Sequence, residues 1–242
     1  DPLDPLDVLD LVGSLVEKSL VMLEDRDEGA RYRMLETIRD YAREKLDQGG
    51  DAAPAAERHC LHYFVLAKEA RDGMKGPEQA EWIRRVETEH DNLRSATALA
   101  LAGGVDPMIA VKLAVALHGF WIFRGHSTEG RKIVKAALAL PAVQESDLAQ
   151  AHALYVGAVL AQSQSDHAES LQMLETCLEL RRRLGNEVDI AATLSTLSLA
   201  RLQVGDADGA ASGEAEALQI FRRLGDRYGE TIGLLHLGQI DL

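Results

Sequence analysis

His59-Cys60-Leu61-His62 is the tightest cluster of metal-type side chains in the sequence. His59 and His62 stand three residues apart, a spacing that puts both on one face of a helix. Zinc needs at least a third protein ligand, and groups that orient the imidazoles. Glu57 and Cys60 are the neighbours on offer, and Cys60 lies on a different face from one or both histidines. The cluster therefore reads as a helix packing His62, Tyr63, Leu66 and Ala70 against the next helix, and no metal or other cofactor is expected. Glu87, Glu89 and Asp91 form a short acidic stretch suited to solvent or to capping rather than to catalysis. Arg181-Arg182-Arg183 and Arg222-Arg223 end helical stretches, where the helix dipole favours each cation by ~0.3–1 kcal/mol. The other use of the triplet is docking an acidic partner or a nucleotide phosphate. No Gly-x-Ser-x-Gly elbow, no His-Glu-x-x-His and no Gly-x-x-x-x-Gly-Lys-Ser/Thr phosphate loop occurs. No enzyme activity is expected of this chain.

The elements that carry these residues are helical by composition. The 242 residues are 46% hydrophobic but only 5% aromatic, and Ala, Leu, Glu and Arg dominate, the residues that fit helices best. The net charge is −13, and residues 1–50 hold 13 acidic against 7 basic side chains. Binding of nucleic acid depends on neutralising phosphates with Lys and Arg, so none is expected. Cys60 and Cys177 form no disulfide framework, no run of about 18 apolar residues could cross a membrane, and no signal peptide opens the chain. A cytoplasmic location follows as the expectation. The sequence begins Asp1-Pro2-Leu3 without Met and ends in an apolar run from Thr231 to Leu242, which reads as part of a longer protein.

A repeat organises the C-terminal half. Arg181-Arg182-Arg183-Leu184-Gly185-Asn186 lies 40 residues before Phe221-Arg222-Arg223-Leu224-Gly225-Asp226. The same offset joins Asp166 to Asp206, Gly125 to Ser165 and Gly205, Ala137 to Cys177 and Ala217, and Leu117 to Gly157, Leu197 and Leu237. No gap is needed, which separates it from chance self-similarity. Each unit reads as two helices, Asp189 to Val204 and Asp208 to Leu224 in the best-defined copy, with Gly205-Asp206 as the turn and Gly225 as the stop. Small residues at Ser170, Cys177, Ala210 and Ala217 allow the paired helices to approach closely.

The spacing resembles the tetratricopeptide repeat: Leu197-Ser198 and Gly205-Asp206-Ala207-Asp208-Gly209-Ala210 fit its pattern, and Leu117-His118, Trp121 and Gly125 fit in part. The unit is longer than usual, and Ala161 and Arg201 stand where that family has an aromatic residue. A helical repeat buries its apolar face only by stacking, and the stack curves around a concave surface. The resemblance implies that the first helix of each unit lines that surface. Lys112, His152, Tyr155, Val159, Gln162, Ser195, Leu199, Leu202 and His236 are then the candidate binding residues. Their mixed apolar and neutral polar character fits a partly apolar peptide or protein surface.

In the N-terminal segment Val8 to Ser19 reads as an amphipathic helix, Leu20 to Leu23 and Arg31 to Met34 as strands around a turn at Asp25 to Gly29, and Leu35 to Leu46 as a second helix. Helix, hairpin, helix is the second half of a winged helix. Its turn holds Glu24, Asp25, Asp27 and Glu28, which would repel phosphate. Leu11-Val12-Gly13-Ser14-Leu15-Val16-Glu17-Lys18-Ser19-Leu20-Val21, Tyr32 to Ala42, Glu87 to Arg94 and Phe120 to His126 together resemble bacterial STAND-type regulators with an NB-ARC-like ATPase, of the LuxR- or SARP-like kind. In that family a winged helix and a repeat sensor follow the ATPase. The resemblance implies a sensor and protein-interaction region that controls an ATPase and an output domain, binding a protein, a peptide or the parent's own ATPase domain. A stand-alone repeat scaffold is the alternative. The expected fold is mainly all-α: a tetratricopeptide-like superhelix of paired antiparallel helices at 106–242, a helical linker at 51–105, and a partial winged helix at 1–50.

Overall fold

The computed structural model describes residues 4–26 and 29–240. The chain divides into two compact units, residues 1–55 and 56–242.

The first unit holds α1 (Pro5–Glu17), strands β1 (Met22–Arg26) and β2 (Gly29–Arg33), and α2 (Glu36–Gly49). The strands pair antiparallel, Met22 opposite Arg33 and Glu24 opposite Arg31. The first strand begins later than the sequence predicts, and the end of α1 explains it. Ser19 turns left-handed at φ 57°, and the Leu20 amide donates to the Leu15 carbonyl. That closure of the helix end uses up Leu20. The expected acidic turn at Asp27 and Glu28 lies outside the described residues, as do the ends of the chain, Asp1 to Leu3 and Asp241-Leu242.

The second unit is helical throughout its described residues. α3 (Ala52–Gly73) leads into it, followed by α4 (Gln79–Thr88) and α5 (His90–Leu101). Helical hairpins follow: α6 (Met108–Phe123) with α7 (Ser127–Leu138), α9 (Asp147–Gln162) with α10 (His167–Leu184), and α11 (Glu187–Gln203) with α12 (Ala207–Leu224); α13 (Arg227–Ile240) follows. The short α8 (Pro141–Gln144) stands where the first second-helix stops early. Pro141 has no amide to continue α7, so a new turn begins there.

The 40-residue period is visible in the helix starts. Ser146, Asn186 and Asp226 cap α9, α11 and α13, accepting from Ala149, from Val188 and Asp189, and from Gly229. Asp166 and Asp206 cap α10 and α12 in the same way. Gly125, Ser165 and Gly205 all turn left-handed between the paired helices, at φ 74°, 60° and 87°. Only Ser165 adopts that conformation against the steric cost of a side chain.

Stacking buries Phe120, Trp121, Leu160, Leu174 and Leu197 almost completely. Gly130 makes room for the indole: a Cβ there would lie 2.5 Å from Trp121 Cε3. Ser170, Cys177, Ala210 and Ala217 are buried where paired helices meet, as their small size requires.

Candidate functional site

The first helices α6, α9, α11 and α13 carry the candidate binding residues, and consecutive ones touch directly. Much of their polar chemistry joins one repeat to the next. The Tyr155 hydroxyl lies 3.2 Å from Thr196 Oγ1. Ser195 Oγ lies 3.1 Å from His236 Nδ1. Tyr155 and Ser195 are 40 residues apart, as are Thr196 and His236, so one structural position is used twice with different side chains. Gln162 Nε2 adds a bond to the Thr196 carbonyl at 3.1 Å.

Two buried charged side chains back these rungs. Arg181, only 4% exposed, stacks its guanidinium 4.5 Å from the Tyr155 ring centroid. Its Nη1 donates to the Asp189 carbonyl and to Thr193 Oγ1. Glu214 is fully buried and accepts from Ser195 Oγ at 2.9 Å, with His236 Nδ1 3.3 Å from its other oxygen. Leu174 and Val134 hold the equivalent position in the preceding repeats. His152 is part of α9; burial pushes its pKa down, Arg181 adds to that, and Asp189 opposes it.

Ser195 corrects the sequence reading. It is buried, and its hydroxyl packs against Glu214 and His236 instead of facing a partner. Lys112 is exposed and 3.8 Å from Asp106. Val159, Leu199 and Leu202 are half-buried and keep an apolar stripe between the rungs, with Val159 and Leu199 again 40 apart.

The arginine triplet ends α10, as the sequence reading expects. Beyond any dipole effect, each guanidinium joins helices. Arg181 is the buried brace, Arg182 pairs with Glu216 of α12, and Arg183 with Asp147 of α9. The pair Arg223–Glu187 repeats Arg183–Asp147 at an offset of 40 residues. The histidine cluster is the second correction. Cys60 is buried with its thiol donating to the Ala96 carbonyl at 3.3 Å, whereas His62, expected to pack, is exposed. Leu66, Ala67 and Ala70 form the buried face there.

Sequence reasoning missed Thr196, Glu214 and a group formed by His90, His126 and Glu129. Comparison along the 40-residue period holds the signal for Glu214 and His126: a carboxyl group stands in an apolar column, and a histidine in a column of capping aspartates.

No model of a known family matches the chain. Candidate HTH-type transcriptional regulators of Mycobacterium tuberculosis and Mycobacterium bovis are 34% identical to it over 234 residues, 93% of this chain. The chain spans 26% of the length of those relatives. Among solved structures, RapI in its apo form is similar with a TM-score of 0.55 and 13% identity, over 98% of this chain and 66% of that one. BtubC from P. vanneervenii is similar at 0.52 and 18% identity, over 77% and 83%. A STAND protein with a tetratricopeptide repeat sensor from Pyrococcus horikoshii matches at 0.51 and 14% identity, over 95% of this chain and 42% of that one. At these identities the likeness is one of fold, and that fold is a tetratricopeptide-like stack of helical hairpins.

Proposed function

We propose that this chain is the sensor and protein-interaction region of a STAND-type transcriptional regulator, and that its first-helix face binds a protein or peptide. The observation that carries the reading is the stripe of Val159, Leu199 and Leu202, half-buried beside polar rungs that are already spent on the stack. Apolar side chains left part-exposed on an ordered face are what a partner segment covers. Direct contact between consecutive first helices makes theirs the inner side of the stack, where an extended segment gains contacts from several repeats at once.

Residues 1–55 then act as the second half of a winged helix, a switch part between an ATPase and the repeats, in a parent protein of the cytoplasm. Similarity to a quarter of longer transcriptional regulators supports that place. A partner that binds the repeats unequally in two states shifts the equilibrium of the attached ATPase by its difference in affinity. The work of this region is binding, and ATP turnover and output belong to other parts of the parent.

Immunoblotting of source-cell lysate tests the parent. A band far above 26.4 kDa is expected; a single band near that mass overturns the regulator reading and leaves a stand-alone scaffold. In the parent, Val159→Asp combined with Leu199→Asp is expected to weaken control of ATP turnover while helical circular dichroism persists. Unchanged control in the folded double variant removes the proposed face.

A further inference from the structure

We propose that His90, His126 and Glu129 form a binding site for a divalent transition-metal ion of the zinc type, joining α5 to the start of α7. It is independent of the binding face on the first helices. One ligand atom from each residue lies within 4.8 Å of the other two. A tetrahedral zinc ion with bonds of about 2.0–2.1 Å spaces its ligands by about 3.4 Å. His90 Nε2 is already 3.4 Å from Glu129 Oε1, and the His90 and His126 ring centroids are 4.5 Å apart, so the three groups already stand close to that spacing.

Two further observations point to a ligand. His90 Nε2 is buried and makes no hydrogen bond, although it faces Glu129. A buried polar nitrogen left so carries a cost that a metal bond removes. The second lies in the repeat. Position 126 corresponds to 166 and 206, where aspartates cap their helices. His126 makes no side-chain cap on α7, so its imidazole does something other than its counterparts' work.

The chemistry of the set suits the ion. Two imidazoles and one carboxylate favour zinc-like ions over magnesium or calcium. Arg94 donates through Nε to Glu129 Oε1 at 2.8 Å and through Nη2 to Oε2, which holds the carboxylate in place. A cavity of about 560 Å³ lined by Arg94, His126, Glu129 and Lys132 gives the ion its entry path and leaves a coordination position for water.

The test is calorimetric titration of the untagged, chelator-stripped full chain with Zn²⁺, and with Mg²⁺ as the contrasting ion. One Zn²⁺ per chain and no Mg²⁺ uptake are expected. His126→Asn removes the imidazole but supplies a good helix cap, and Glu129→Gln removes the charge. Each is expected to weaken Zn²⁺ binding by at least about tenfold, while His59→Gln with His62→Gln leaves it unchanged. Zn²⁺ is expected to raise the unfolding temperature of the native chain and not that of His126→Asn. Circular dichroism checks the fold of every variant, and His90→Gln replaces any that does not fold. No Zn²⁺ uptake overturns the site, as does uptake that survives loss of His126 and Glu129 or that disappears with His59 and His62.

Discussion

Residues 1–55 and the stack at 56–242 handle apolar side chains in opposite ways. Among the described residues of the first unit Val21 alone is buried, while Leu9 is 60% and Tyr41 59% exposed. In the second unit each repeat covers the one before it, and Phe120, Leu160 and Leu174 reach zero exposure. Helical periodicity is present in both, yet it yields a core only where a second element of matching period lies against it.

That contrast is open to direct attack. Trp121→Ala in the stack is expected to cost about 3–5 kcal/mol, measured from urea unfolding midpoints, because a fully packed indole leaves a cavity. A cost under about 1 kcal/mol would show the stack to be loosely packed. Glu214→Ala comes next, at about 1–3 kcal/mol, since it strands the Ser195 hydroxyl and His236 without their buried acceptor. If the cost vanishes, water already serves those groups.

Acid sharpens the comparison further. Burial lowers the pKa of His118, with Lys75 and Arg71 adding to the effect and a bond to the Val115 carbonyl opposing it. The unfolded chain then binds more protons than the native one just below the ordinary histidine range. Stability is therefore complete above about pH 6.5 and falls as pH drops below it, by at most about 1.4 kcal/mol per pH unit for each such histidine. His118→Gln is expected to flatten the fall in melting temperature between pH 7 and pH 5. An equal fall in the variant assigns it elsewhere.

Ser165→Gly is expected to stabilise the stack by about 1 kcal/mol, by relieving a left-handed residue that its counterparts at Gly125 and Gly205 fill with glycine. No gain would mean that the serine side chain offsets its own strain. The smallest effect belongs to the first unit: Leu9→Ser is expected to stay within about 0.5 kcal/mol. A loss as large as that at Trp121 would reveal that something covers Leu9.

The stack was legible because its signals are local. Gly205-Asp206 and Gly225-Asp226 mark turn and stop, and the structure places α11 and α12 within two residues of the ranges expected from them. The first strand was misplaced because nothing in the sequence marks Ser19, a non-glycine, as left-handed. That the candidate residues fall on first helices was legible, but the roles of their side chains were not. Helical spacing puts Ser195 and Leu199 on one side, yet only the approach of α12 and α13 decides that the first is sealed by Glu214 and His236 while the second stays half open. His90 and His126 escaped notice for a similar reason. They are 36 residues apart, and only the packing of α5 beside α7 brings them together.

The rungs between first helices also bear on how such a chain can lengthen. The group at 155 reaches 196 and the group at 195 reaches 236, so both of these side-chain rungs span one repeat and one residue more. Duplicating residues 187–226 would keep Tyr155 opposite Thr196 and set the second copy of Ser195 opposite His236, and the caps and turns would come with it. Growth by that whole unit keeps the addresses of these bonds, whereas an insertion of another length between residues 155 and 236 changes at least one of them.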